Sequence, residues 1–547
     1  MRVALIRVLR AVGVVLLLAA VAAPLAVVAA TALAGPPTWA DAALGPRLRG
    51  VFLRTLAAAA GATGLALIAA LPACAALALA RGRATRTILI GLTLVPLVTP
   101  PAVFGYVWML LPSQGHALGR ALSALGFDGP RAAPLRAAVA MATWLWPVAA
   151  LSIAAAYRFA GRAAYRLARL DAGPVRALFH GALPAMAGPL ATCLAVIFLL
   201  ALNDSTIPPL VLAHTWANEI APEVLDTALY GSPAAAVLWR SWPMLLCALA
   251  AAAAALPGAR TMAHWGHDHA PFEHDPSGRA GRAAAGLAAA ATAAAALMPV
   301  IVLAADAAAS RELIGAAMAR CASLFAVEWR ASLTVATLAA AAAVPVGLCA
   351  IRVPAGGPTP RSDARRYAAT AVVAAAGCAA VLPPELIAYS LVGLFNRAGP
   401  AGWLYDETPA VWLLAMLARF AFVPAAMAWT SSLGIPVELA RQARCDGADE
   451  SRVLAEVGLP AVWRPVAGGS VVVGCLALSE IAASTLLVPP RFGGSLAVAI
   501  DNQMHYGRNN DLVVTTLMLL APLIVLALAA PWLWRGGGND ARPHGRP

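Results

Sequence analysis

Few residues in this 547-residue chain can do chemistry, and they stand in unusual places. Asp204 and Glu480 each close an apolar run, in LALND (200–204) and LALSE (476–480). Arg419 lies about ten residues inside a third apolar run, 410–432. An ionisable group at such depth is costly and is a functional candidate by default. The two acids suit an outer gate, or the attraction of a cationic or metal-bearing solute. Interfacial capping is the plainer alternative. Arg419 calls for a buried partner or a water-lined path. Arg54 and Arg240 sit near helix ends, where a long side chain snorkels to the interface.

His264, His267, Asp268, His269, Glu273, His274 and Asp275 are metal-ligand types gathered in one polar stretch. Zinc needs fixed tetrahedral geometry, whereas the Gly, Pro and Ser around these residues read as a solvated tether. No metal is assigned. The chain has no G-x-S-x-G, H-E-x-x-H or C-x-x-C motif, so no catalytic residue is assigned and it is not read as an enzyme. It also has no lysine: all 39 basic residues are arginine. A Walker A loop places a lysine on the phosphates, so this chain holds no P-loop and no cofactor is expected of it.

The elements that carry these residues follow from composition. The chain is 61% hydrophobic and 12% charged, with mean hydropathy +0.77. An average soluble protein carries about 25% charged residues, so too little polar surface is present to cover soluble cores. A polytopic membrane protein is expected, with about twelve helices of roughly 20 residues each. The net charge of +13 lies in short arginine clusters between apolar runs, which fits membrane topology rather than nucleic-acid binding. Seven of the eight cysteines fall in or beside apolar runs or in an inner loop, where a thiol acts as a small hydrophobe. Cys321 alone is placed near the outer face, so no internal disulfide is expected there.

The expected spans run near 9–34, 51–80, 87–112, 137–157, 185–203, 235–257, 283–305, 331–351, 367–395, 410–432, 465–482 and 511–534. The first exceeds the 7–15-residue core of a signal peptide and reads as a membrane helix. One set of loops holds 25 arginines and the other 11, with three inside spans. That asymmetry puts both termini in the cytoplasm. The polar linker 258–282 divides the chain into 1–257 and 283–547, six spans each.

The two parts repeat one another. Residues 166–184 and 441–460 both begin R-x-A-R-x-D and end in Leu-Pro, as Leu183-Pro184 and Leu459-Pro460. Pro184 and Pro460 lie 276 positions apart, and so do Asp204 and Glu480. A Pro-Pro pair interrupts the third span of each part, at Pro100-Pro101 and Pro383-Pro384. A tandem duplication of even-numbered units gives parallel repeats about an axis along the membrane normal, with a path between them. The expected fold is therefore all-α and polytopic, with two pseudo-symmetric six-helix halves.

The loop before the eleventh span contains Gly447, nine further residues, and then Val457-Gly458-Leu459-Pro460. This resembles the EAA motif of binding-protein-dependent ABC importer permeases, E-A-A-x3-G-x9-I-x-L-P. Arg441-Gln442-Ala443 stand for E-A-A, Gly447 for the glycine and Val457 for the isoleucine. In the first copy Ala168 and Ala172 stand for the last alanine and the glycine, beside Asp171, and Leu183-Pro184 closes it. Residues 477–508, from Glu480 through Pro489-Pro490 to Gly507-Arg508, also resemble the fused, two-unit permeases of ferric-iron and thiamine type. The shorter first copy is 204–210.

The resemblance implies a type I permease fold in the bacterial inner membrane and a small solute as cargo, ferric iron first and thiamine or another next. It implies a periplasmic binding protein that delivers the solute, and two copies of a P-loop ATPase, which bind the ATP and dock on the two loops. Two short helices and a turn at Gly447 are expected there, with Pro460 in the first turn of the next span. A twelve-helix secondary transporter driven by an ion gradient is the alternative.

Overall fold

The computed structural model describes residues 2–34, 45–80, 82–113, 117–220, 240–251, 253–254, 279–310, 312, 314–353, 360–506 and 509–534. Among these residues the protein is helical, without a strand. Backbone groups in a bilayer have no water to bond, and helices satisfy them internally. Among the described residues eight helices are long and apolar enough to cross a membrane: Val3–Thr31, Pro46–Leu79, Pro130–Ala156, Pro174–Leu202, Gly281–Ala309, Ala326–Cys349, Glu450–Leu478 and Asn510–Leu533. Three bent pairs raise the number to eleven if each counts as one span. Of the expected span 235–257, residues 240–251 and 253–254 are helical and the rest lie outside the described residues. The histidine-rich stretch also lies outside them. Residues 279–282, the end of the expected linker, belong to helix Arg279–Ala309.

The bends have identifiable causes. Arg83–Val98 meets Pro101–Pro112 at 85°, and Tyr367–Ala380 meets Pro384–Phe395 at 102°. Proline disfavours helix in the residue before it and removes a donor. A Pro-Pro pair therefore ends one helix and starts another. Thr99 is extended, at ψ 134°, and Pro383 has ψ 129°. The sequence placed these prolines inside single spans, but the structure breaks each span almost at a right angle. The third pair, Ala410–Phe420 and Phe422–Leu433, bends by 44° at Ala421. There Pro424 has no N–H to offer the Phe420 carbonyl.

The helix that opens each half of the sequence packs against the other half. Val3–Thr31 lies against Ala326–Cys349, and Gly281–Ala309 lies against Pro46–Leu79 and Arg83–Val98. The last helix, Asn510–Leu533, also lies against Arg83–Val98, where Gly91 permits a close approach. A Cβ there would stand 2.9 Å from Leu528 Cα, which is backbone and cannot swing aside. Overpacking of this kind costs about 1–3 kcal/mol. Gly91→Val should accordingly lower the thermal midpoint of the detergent-purified protein. Gly64→Val, whose site has nothing within 4 Å, should leave it unchanged.

Candidate functional site

The site begins where four helices end. Helix Pro174–Leu202 stops at Asn203, and helix Glu450–Leu478 stops at Ser479. Each of these polar residues bonds a carbonyl at a proline break in the opposite half of the sequence. Asn203 Nδ2 donates to the Val381 carbonyl at 2.7 Å, and the Ser479 hydroxyl donates to the Val98 carbonyl. Asn203 and Ser479 keep the 276-residue offset, while Val98 and Val381 keep the 283-residue offset of the two Pro-Pro pairs. The two bonds are thus one contact made twice, and each satisfies an acceptor stranded by a broken helix.

Next to these bonds are the two acids, both buried, at 7% exposure for Asp204 and 4% for Glu480. Glu480 is fully engaged. It accepts from the Ala483 and Ser484 amides and the Ser484 hydroxyl, each at 2.9 Å, and from Arg419 Nη1. Trp412 Nε1 donates to the same Ser484 hydroxyl at 3.0 Å and fixes it. Arg419, for which a buried partner or a water-lined path was expected, is paired with Glu480 from the last turn of the helix before the 44° bend.

Asp204 is engaged on one side only. Its Oδ1 accepts from the Thr206 amide at 3.1 Å and the Thr206 hydroxyl at 2.8 Å, and the Ile207 amide faces the same carboxyl. Oδ2 makes no hydrogen bond among the described residues. The residue that precedes Asp204 by the same 61 positions as Arg419 precedes Glu480 is Thr143. Thr143 accepts from Trp108 Nε1 at 2.9 Å instead. Arg419 is in electrostatic range of Asp204 and also of Glu385, a third buried acid at 5% exposure.

Glu385 was missed in the sequence, where the Pro-Pro pair drew attention and the acid after it did not. It faces Ser205. At the matching offsets the other crossing holds Ile481 and Ala102, which pack in one apolar cluster. The same crossing is therefore polar once and apolar once. Arg136 was also missed, having been counted as a loop arginine. It is fully buried and donates to the Phe127, Gly129 and Val211 carbonyls, which pins the segment after Asp204.

The two loops follow the sequence in part. Helix Val437–Cys445 exposes Arg441 and Gln442, with Ala443 half-buried. Gly447 turns the chain at φ +78°, a left-handed conformation open to glycine and, at some cost, asparagine. Asp449 then caps the next helix through the Arg452 amide, and Arg7 donates to Asp449 and Ser451, both at 3.1 Å. In the first copy, helix Arg162–Asp171 ends at Ala172, which is extended rather than left-handed because that turn is one residue shorter. Ala168 packs inward, its Cβ lying 2.8 Å from where a Cβ on Gly181 would be. Asp171 is exposed.

One expectation is corrected. Pro460 does not sit in the first turn of a span, nor does Pro184. Helices Glu450–Leu478 and Pro174–Leu202 start ten residues earlier and run through both prolines without a break. The device that allows this is a π-turn, at Leu454–Gly458 and at Leu178–Ala182. Leu459 N–H bonds Leu454 O and Leu183 N–H bonds Leu178 O, one residue wider than α-helical pairing. That wider turn accommodates a residue that lacks an N–H. Val457 and Leu459 are half-buried within it. Residues 484–506, expected as an outer loop, form short helices with Leu496, Ala497 and Ile500 buried; Gly507 and Arg508 lie outside the described residues.

Among the described residues no His, Cys, Asp and Glu cluster has metal-holding geometry. No protein-family model matches the chain, and no curated protein matches it in sequence.

Removing one partner of a buried pair strands the other charge, at about 3–5 kcal/mol. Arg419→Met should therefore lower the unfolding midpoint strongly. Adding Glu480→Gln should restore most of the loss, as read by thermal unfolding of the four proteins of the cycle.

Proposed function

We propose that this chain is the membrane permease of an ATP-binding cassette importer, with both pore-forming units on one polypeptide. One observation carries the reading. Each loop that resembles the EAA motif is continuous with a 29-residue helix, Pro174–Leu202 or Glu450–Leu478, that ends beside a buried acid at the crossing of the halves. At 1.5 Å per residue each rod is about 43 Å long, so a force that enters at the loop's end, at Pro174 or Glu450, reaches the crossing without a further joint. The π-turns keep the rods unbroken, and they recur at one offset in both copies.

On this reading the chain forms twelve spans in two six-helix halves in a bacterial inner membrane, with cytoplasmic termini. Two ATPase subunits bind ATP, close, and draw the loops together. The rods then tilt, the Asn203–Val381 and Ser479–Val98 contacts part, and solute from a periplasmic binding protein passes between the halves. Ferric iron is the first candidate and thiamine or another small solute the next. The chain supplies the path and no hydrolytic chemistry.

A carrier driven by an ion gradient is the second reading, favoured by the buried acids Asp204, Glu385 and Glu480, since such groups also form proton relays. Co-expression with neighbouring genes separates the two. The permease reading predicts that a P-loop ATPase co-purifies at two copies per chain. Gly447→Val, which forces a β-branched residue to positive φ, should abolish stimulation of the ATPase, and Gly447→Asn should retain it. Absence of any ATPase, with uptake that follows a proton or sodium gradient, would favour the carrier.

A further inference from the structure

The N-terminal helix reaches across to the second loop. Helix Val3–Thr31 lies against Ala326–Cys349, and the contact is tight. A Cβ on Gly13 would collide with the Pro345 carbonyl, and Cys349 Sγ donates to the Arg10 carbonyl at 3.3 Å. Nearer the N-terminus, Ile6 is buried in one apolar cluster with Leu454, Val462 and Val466 of the second rod. Its neighbour Arg7 meets the place where that rod begins. Arg7 Nη2 donates to Asp449 Oδ2 and Arg7 Nε to the Ser451 hydroxyl, both at 3.1 Å. Asp449 is also the cap of the rod, with Oδ1 accepting from the Arg452 amide at 2.9 Å. One carboxylate is thus shared between the rod and a helix from the other half of the sequence.

The rod joins helix Val437–Cys445 through the turn at Gly447. There the Gly447 amide donates to the Arg444 carbonyl and the Ala448 amide to the Ala443 carbonyl. These bonds close the end of the loop helix, but they do not tie it to the rod. The first copy has the same joint without the arginine. The cap equivalent to Asp449 is Gly173, and the residue equivalent to Ser451 is Val175, both at the 276-residue offset. Arg7 has a counterpart in Arg282, at the 275-residue offset of Pro24 and Pro299. Gly173 and Val175 carry no side-chain acceptor, so the tie is made in one loop only.

We propose that Arg7 is a positioning residue for the second loop. It braces the joint at 446–449 against the N-terminal helix, so that helix Val437–Cys445 and its rod turn together, while the first loop has no such brace. The pair is exposed, at 62% for Arg7 and 61% for Asp449. The brace is therefore weak and screened by salt, and it biases the joint rather than locking it. Its role in transport rests on the permease reading; the brace itself stands on the two bonds. On that reading the second loop passes the ATPase stroke on stiffly and the first passes it on with slack.

Hydrogen exchange of the full chain in lipid nanodiscs, without ATPase, reads the joint directly. Arg7→Gln should speed exchange of the Gly447, Ala448 and Arg452 amides by about two- to fivefold, the range open to an exposed pair. The Ala172 and Ala177 amides of the first loop should keep their rates. Arg7→Lys, which keeps the charge but not the fork, should recover part of the protection. Asp449→Asn, which keeps a capping oxygen, should act like Arg7→Gln, and the two together should add little. High salt should bring wild type to the Arg7→Gln rates, which gives the same test if the variant does not fold. With the co-purified ATPase, Arg7→Gln should lower its stimulation at unchanged binding. Unchanged exchange at 447–452, or an equal rise in the first loop, would overturn the brace. Unchanged ATPase stimulation would overturn its positioning role. If exchange responds but no ATPase co-purifies, the brace stands and the permease reading falls.

Discussion

A helix broken within a membrane leaves carbonyls that no water can reach. In this chain two helices are broken by Pro-Pro pairs, and the Val98 and Val381 carbonyls at those breaks are bonded by Ser479 and Asn203 from the opposite half of the sequence. The rest of the arrangement depends on this exchange. Neither half can satisfy its own break, so each must bring the end of a long helix to the other. The acids follow directly, because Asp204 and Glu480 are the next residues along. Their burial is a consequence of where the donors have to be.

The two halves then diverge in what they add to a shared frame. In the C-terminal half, Arg419, Ser484 and Trp412 compensate Glu480 completely. In the N-terminal half, Thr143 takes the place of the arginine and bonds Trp108, and Asp204 keeps a bare oxygen. Glu385 faces Ser205 where the other crossing has an alanine and an isoleucine. Symmetry builds the crossing, and asymmetry gives it a net charge.

Much of the frame was legible in the sequence. The 276-residue offset of Leu-Pro and acid predicted matched helices, and helices Pro174–Leu202 and Glu450–Leu478 start and stop at that offset. Gly447 was read as a turn and has positive φ, because spacing and residue type pointed to one conformation. Arg419 was read as calling for a buried partner or a water-lined path, and it is paired with Glu480. The misses share a cause. Periodicity sees apolar runs but not direction, so the right-angle breaks at Pro100-Pro101 and Pro383-Pro384 read as spans with prolines inside. Proline rules place Pro184 and Pro460 at helix starts, and only tertiary context reveals a π-turn that carries a helix through. Glu385 went unread, although it falls inside the expected span 367–395, because nothing local says that Ser205, 180 positions away, lies opposite.

The claim that matters most is that the loops and the crossing move as one when an ATPase closes. Spin labels at positions 171 and 446, in a chain whose exposed Cys378 and Cys445 are replaced by serine, report the distance between the loops by double electron–electron resonance. A second pair at the exposed positions 212 and 403, one in each half, reports the crossing. The account predicts that binding of a non-hydrolysable ATP analogue to the co-purified ATPase shortens the first distance and lengthens the second in the same sample. Distances that ignore nucleotide and shift with an imposed proton or sodium gradient would contradict it.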